Sequence, residues 1–258
     1  MRSVKVIGIG TGGLDQLTLA AVRALGEVDR FLVADKGGET AELVRLRTEL
    51  ISRYAPKAEV VLVPDPPRDR SAERPGADGA GYLGHVAEWH AARARAYADR
   101  LAPANPAGKS GATGFLVWGD PAFYDSTLRI VDRIRGLGYD FELEVIPGIS
   151  APQALAAAHQ IALNRIGSPV HITTGRRLRS EWSMELGDVV VMLDGHLTCR
   201  ELVGRGLEIF WGAYLGSPDQ VLRSGALDEV IDELVSLRAG LRAEHGWVMD
   251  TYLLRPLG

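Results

Sequence analysis

The sequence predicts an α/β fold made of two α/β domains, with a largely parallel sheet. Three observations predict it. Short apolar runs alternate with amphipathic segments along the whole chain, as strands alternate with helices in layered α/β folds. Several runs break into Gly-, Pro- or Asp-containing turns that lead to a helix, and strand ends of that kind are where open α/β sheets bind ligands. The alternation restarts after Pro147-Gly148, which makes that turn the candidate hinge between residues 1–146 and residues 147–258. A chain of 258 residues is long enough for two such domains and a sizeable core.

Taken in order, the first strands are expected at Val4–Ile9, Arg30–Ala34, Glu59–Val63, Gly114–Trp118 and Phe141–Ile146. A second set is expected at Val170–Thr174, Asp188–Leu193, Leu207–Tyr214 and Gly246–Leu254. Helical periodicity falls on Leu17–Leu25, Glu39–Ser52, Gly84–Leu101, Ser126–Leu137, Ala151–His159, Thr198–Val203 and Leu227–Leu241. The second sheet should be the more mixed, because short segments join two strands near its end. Pro64 to Gly76 is rich in Pro and charge and reads as a loop. Its Arg68, Arg70 and Arg74 fit either an arm that meets substrate carboxylates or a solvated surface. Pro103 to Gly114 is a second loop of this kind, and no internal repeat is found.

Three turns carry the chemistry. In Phe115-Leu116-Val117-Trp118-Gly119-Asp120-Pro121-Ala122-Phe123-Tyr124, an apolar strand breaks at Gly119, which allows close backbone approach, and Pro121 fixes the exit. At the N-terminus, Gly8, Gly10 and Gly13 fit Gly-x-Gly-x-x-Gly, and Asp35-Lys36 lies where a ribose-binding acid would sit. That keeps a dinucleotide-dependent oxidoreductase open. Against it, Leu14-Asp15-Gln16-Leu17-Thr18 intervenes before the helix, where a dinucleotide fold would start the helix at once. In Val145-Ile146-Pro147-Gly148-Ile149-Ser150-Ala151, Pro-Gly turns the chain and Ser150 is a good helix cap.

In this order and spacing, the three turns resemble those of the tetrapyrrole methylase family, over essentially the whole chain. The family's first motif reads Gly-x-Gly-Pro-Gly-Asp-Pro-x-Leu-Leu-Thr. Gly8, Gly10, Gly12, Leu17 and Thr18 match it, while Thr11 replaces the first Pro and Gly13-Leu14 replace Asp-Pro. Gly119, Asp120, Pro121 and Tyr124 match the second motif, and Pro147 to Ala151 the third. The Thr11-Gly12-Gly13 variant, Trp118, Asp125-Ser126-Thr127 and the long arm before the Gly-Asp-Pro strand resemble the branch that couples methyl transfer to loss of an acetyl unit.

The resemblance implies an S-adenosylmethionine-dependent methyltransferase acting on a precorrin macrocycle, a homodimer, and an active-site cleft between the two domains. It implies cofactor contacts from Gly119, Asp120, Pro121, Ser150 and Ala151, and from Met192 or Leu193 and Ala213-Tyr214 on the adenine side. Gly10, Thr11 and Gly12 are implied substrate contacts. Arg176 and Arg177 are further candidates, since guanidinium forks match carboxylates, although a solvated surface is equally open to them. Methyl transfer from a sulfonium requires positioning rather than a covalent nucleophile. Deacetylation requires an acid or base, for which Asp15, Tyr124 and Asp125 are the candidates.

The remaining properties exclude classes. A formal net charge of -4 argues against a general nucleic-acid binder, which needs a basic stripe. One cysteine, Cys199, rules out an internal disulfide framework and fits a reducing cytoplasm. The chain enters its first strand directly, so no signal peptide is expected, and no apolar run reaches the length of a membrane span. His85 and His90 are spaced wrongly for a helical metal pair, and His196 with Cys199 lacks further ligands. His171 reads as a partly buried histidine rather than a substrate contact, and no metal is expected.

Overall fold

A computed structural model describes residues 2–35, 41–67, 79–102 and 111–257. Arg68, Arg70 and Arg74, Lys36 and most of the 103–114 loop lie outside the described residues. The chain divides into two compact units, Met1–Ile9 with Leu17–Gly148, and Gly10–Gln16 with Ile149–Gly258. The division after Gly148 lies two residues beyond the expected one. The short Gly10–Gln16 segment belongs with the second unit, although the chain enters and leaves it from the first.

The first unit is a five-stranded sheet in the order β3-β2-β4-β1-β5, with every pairing parallel. Its strands are β1 (Arg2–Gly8), β2 (Arg30–Asp35), β3 (Glu59–Pro64), β4 (Ala112–Val117) and β5 (Phe141–Ile146). Between them run α1 (Leu19–Gly26), α2 (Ala41–Tyr54), α3 (Gly79–Ala98) and α4 (Thr127–Gly136). Parallel strands need crossovers, and these helices supply them. Both β1 and β4 are almost wholly buried, as expected for inner strands covered on both faces. One core gathers Val4, Val6, Phe115 and Val117 of these strands under Tyr97 of α3 and Ile130 and Ile134 of α4.

Register places the carboxyl ends of these strands along one edge. Gly8 pairs with Val117, and Ile7 with Ile146, so Gly8, Gly119 and Gly148 converge there. A Cβ built on Gly8 would lie 2.6 Å from Gly148 N and 2.9 Å from Gly119 O. One on Gly148 would strike Gly119 O and the Gly8 backbone. Only glycine permits so close a backbone approach.

The second unit is a mixed sheet in the order β6-β7-β10-β8-β9. Its strands are β6 (Val170–Thr174), β7 (Asp188–Met192), β8 (Leu207–Ala213), β9 (Val221–Ala226) and β10 (Asp250–Pro256). Its helices are α5 (Ala151–His159), α6 (Gly175–Glu181) and α7 (Leu227–His245). β6 and β7 are parallel, and β10 is antiparallel to both β7 and β8. β8 therefore runs in the direction of β6 and β7. Trp211, Tyr252, Ile209 and Leu254 fill a core beneath α7 and α6.

The expected mixture is present, but β9 and α6 are additions. β9 is an edge strand containing Ser224-Gly225, too poor in β-branched residues to stand out as a strand. The segment Arg176 to Arg179, where no helix is expected, lies in a seven-residue helix whose buried face is Leu178. Its charged face hides the helical period. The last strand begins at Asp250 rather than Gly246, because α7 continues to His245 and Gly246 ends it in the left-handed conformation. The segment expected as a helix at Thr198–Val203 is a 3-10 turn, Thr198–Leu202.

Candidate active site

The glycine edge of the first unit is tied by one carboxylate. Asp120 accepts from the Ala122 N–H at 2.8 Å with one oxygen and from the Gly148 N–H at 2.9 Å with the other. The acid of the Gly-Asp-Pro motif thus joins its own turn to the Pro147-Gly148 turn. Gly119 lies at φ +69, and Pro121 is buried. Three residues on, Tyr124 is held at φ +49 and is 44% exposed, so it does not pack in the core. A left-handed bulky residue is uncommon and costs about 1–3 kcal/mol, and such residues collect at functional sites. Asp125 accepts from the Thr127 N–H at 2.6 Å and so helps start α4, while its side chain lines a cavity at the ends of β2 and β4.

In the second unit, register aligns Thr174, Met192, Thr251 and Gly212 across the sheet. Two strands leave this edge through left-handed residues. Leu193 follows β7 at φ +54 and is 67% exposed, and Tyr214 follows β8 at φ +49. The two segments named for adenine contact are therefore neighbours at one edge, separated only by the start of β10. Met192 is half-buried and packs on the core that holds Leu155 and Leu253, so the side chain that projects is Leu193. Ala213 is fully buried. The Tyr214 ring is also buried, with its hydroxyl donating to Trp247 O at 2.5 Å and its face tilted against His245. What Tyr214 offers at the edge is backbone.

Asp194 fixes the turn after Leu193. It accepts from Tyr252 Oη at 2.5 Å, from the Thr198 N–H at 2.6 Å and from the His196 N–H at 3.0 Å. Arg238 donates to Asp194 O at 3.1 Å and is held in turn by Asp250, 2.9 Å away. A Cβ on Gly175 would run into the Asp194 side chain, so the start of α6 also depends on glycine. Beside this network, burial pushes the Cys199 thiol up to about 12, and the Asp194 charge adds to the shift.

The Gly10–Gln16 loop is built against the turn that follows Tyr214. Thr11 is buried and donates from its hydroxyl to Leu215 O at 2.8 Å, and its N–H donates to Gln16 Oε1 at 2.7 Å. A Cβ on Gly13 would strike Gly216 O, and one on Gly216 would strike the Gln16 carboxamide. Thr11 and Gly13, the departures from the family motif, are thus the residues this contact requires. Gln16, which sequence reasoning did not single out, is its centre; its position two residues before the helix cap Thr18 was the available signal. Thr18 Oγ1 accepts from the Ala21 N–H at 3.0 Å, so α1 begins well after the glycines, unlike a dinucleotide-binding helix.

The other named residues fall as follows. Gly10 and Gly12 have φ +73 and +139, and Asp15 is exposed on a 3-10 turn at Leu14–Gln16. Ser150 caps α5: its N–H and hydroxyl meet Gln153 Oε1 at 2.9 and 2.8 Å, and Ala151 opens the helix. Arg176 and Arg177 are exposed on α6, where Arg177 pairs with Glu181. The Glu181 carboxyl is drawn below its usual range first by that pair. His171 lies 3.9 Å from the same carboxylate. Among the described residues, no group of three or more His, Cys, Asp or Glu could hold a metal, and no helix is long and apolar enough to cross a membrane.

Comparison with known proteins agrees with this geometry. The family model described as tetrapyrrole (corrin/porphyrin) methylases matches residues 3–231. The chain is 41% identical over 256 residues to precorrin-6A synthase [deacetylating] of Sinorhizobium sp, covering 99% of this chain and 95% of that one. It is 30% identical over 193 residues to precorrin-2 C(20)-methyltransferase of the same source, covering 71% and 69%. Among solved structures, a cobalamin synthesis related protein (CobF) from Corynebacterium diphtheriae superposes with a TM-score of 0.84 at 39% identity, covering 100% of both chains. Uroporphyrin-III C-methyltransferase from Thermus thermophilus, solved with S-adenosyl homocysteine, shares the fold at a TM-score of 0.60 and 18% identity, covering 98% of this chain and 97% of that one. With its family model matched across both units, this chain belongs to the tetrapyrrole (corrin/porphyrin) methylases.

Proposed function

We propose that the chain is a deacetylating precorrin-6A synthase, which methylates carbon 1 of precorrin-5 and releases acetate to give precorrin-6A. The observation that carries the reading is end-to-end similarity to a deacetylating synthase, at 41% identity over 99% of the chain. The residues present fit the expected cofactor. Leu193 and Tyr214 reverse two neighbouring strand ends with their backbone, and the Gly8, Gly119 and Gly148 cradle has no room for a Cβ. S-adenosylmethionine, when bound, supplies a methyl group on a sulfonium.

The protein's part is to bind, orient and exclude water. Gly119, Asp120, Pro121, Ser150 and Ala151 shape the methionine side, and Leu193, Met192, Ala213 and Tyr214 the adenine side. The Gly10-Thr11-Gly12 backbone and Arg176 and Arg177 face the macrocycle. Thr11 can offer only its main-chain carbonyl, since its hydroxyl and its N–H are both engaged. For deacetylation, a base takes a proton from water as its oxygen attacks the acetyl carbonyl. Asp125 and Asp15 are the carboxylates proposed for that step, and Tyr124 can donate to the acetyl oxygen as water adds. When the carbon–carbon bond breaks, acetate leaves and the electron pair stays on the macrocycle, where the methyl group takes it up. A homodimer in the cytoplasm completes the reading.

Titration with S-adenosylhomocysteine and with NADPH tests the cofactor class. Saturable binding of the first and none of the second is the expected result. The reverse pattern would move the chain to dinucleotide chemistry.

A further inference from the structure

A cavity of about 140 Å³ opens at the carboxyl ends of β2 and β4 in the first unit, lined by Ala34, Leu116, Arg47, Arg93, Tyr97 and Asp125 among others. These strands are neighbours, but the chain leaves β2 for β3 at one side of the sheet and leaves β4 for β5 at the other. A crevice where connections diverge is the usual ligand position in an open parallel sheet. The volume is close to the roughly 150 Å³ that admits one benzene-sized ligand. It suits one small group and is far too small for a macrocycle.

Arg93 shows which group. Its Nε donates to Asp65 Oδ1 at 2.5 Å, and its guanidinium carbon lies 4.4 Å from the centre of the Trp89 ring. The side chain is only 11% exposed. One edge and one face are thus fixed, while among the described residues the two terminal nitrogens have no acceptor. The terminal edge of a guanidinium is one of those that match both oxygens of a carboxylate. Arg47 lines the same cavity and lies close enough to Asp125 and Arg93 to feel their charges, and burial lowers its pKa most. Asp125 puts one carboxylate on the wall, and Asp65 already pairs with Arg93, so the two guanidiniums are set against two carboxylates. Asp125 also accepts the Thr127 N–H at 2.6 Å, so part of its charge is already compensated.

We propose that this cavity is a short-chain carboxylate subsite, with Arg93 as its fork and Arg47 as the second cation. Its occupant is either an acetate or propionate arm of the macrocycle or the acetate that the reaction releases. That choice of sources rests on the function proposed above; the carboxylate class rests on the cavity alone.

The test is a titration of the full chain with ¹³C-acetate followed by NMR, on the wild type, Arg93→Lys and Arg47→Lys. Lysine keeps the charge and loses the fork. Acetate affinity should fall about tenfold in Arg93→Lys and measurably in Arg47→Lys, with S-adenosylhomocysteine affinity and melting temperature held. The second variant answers the question if Arg93→Lys fails to fold. No acetate binding to the wild type, or equal binding to every folded form, overturns the subsite. Turnover then separates the sources. An arm of the macrocycle predicts a raised KM for precorrin-5 in Arg93→Lys and competition by acetate. Released acetate predicts an unchanged KM and product inhibition that Arg93→Lys relieves. If acetate binds as described but S-adenosylhomocysteine does not, the subsite stands and the proposed function fails.

Discussion

Asp120 uses both carboxylate oxygens on main-chain donors of two different turns. Asp120→Asn keeps the shape but turns one acceptor into a donor, so one of the two turns loses its partner. A loss of about 1–3 kcal/mol is expected, read as a lower midpoint in urea, with weaker S-adenosylhomocysteine binding. Unchanged values for both would remove Asp120 from the account. Cys199 gives a second residue-scale test. Its thiol is buried and pushed up to about 12, so at pH 8 almost none is thiolate. Iodoacetamide should leave it unmodified in the folded protein and label it in urea, and the folded rate should rise only as pH approaches 12. The Gly119-Asp120-Pro121 turn was legible because those residue types are required by backbone geometry. The burial of the Tyr214 ring and the contacts of Asp194 with Tyr252 and Arg238 were not, since they depend on residues more than thirty positions away.

Elements were read well where local pattern and tertiary burial agree. β5, β6 and α5 fall on the expected residues, because their apolar runs are bounded by Pro, Gly or a capping Ser. β9 and α6 escaped because a polar edge strand and a three-arginine helix carry little hydrophobic period. The Gly10–Gln16 loop belongs to the same scale. Its glycines suggested a ligand loop, while its docking on Leu215-Gly216 is a long-range contact that no local pattern reports. Gly216→Ala adds a Cβ at φ +76 and drives it into the Gln16 carboxamide. Differential scanning calorimetry should show a loss of about 1–3 kcal/mol. Gln16→Ala in the same background should absorb most of the steric part, and additive losses would show that the contact is not made.

For the molecule as a whole, the two α/β units and their strand-end turns followed from the alternation and from three motifs. Assignment to the tetrapyrrole methylases rests on matches that run through both units. The chemistry narrows further only through the acetate. Incubating the pure protein with S-adenosylmethionine and enzymatically prepared precorrin-5, then analysing pigment and acetate by mass spectrometry, tests that claim most directly. Gain of one methyl with one equivalent of acetate is the predicted result. A methylated pigment without acetate, or turnover of an earlier precorrin alone, would contradict it.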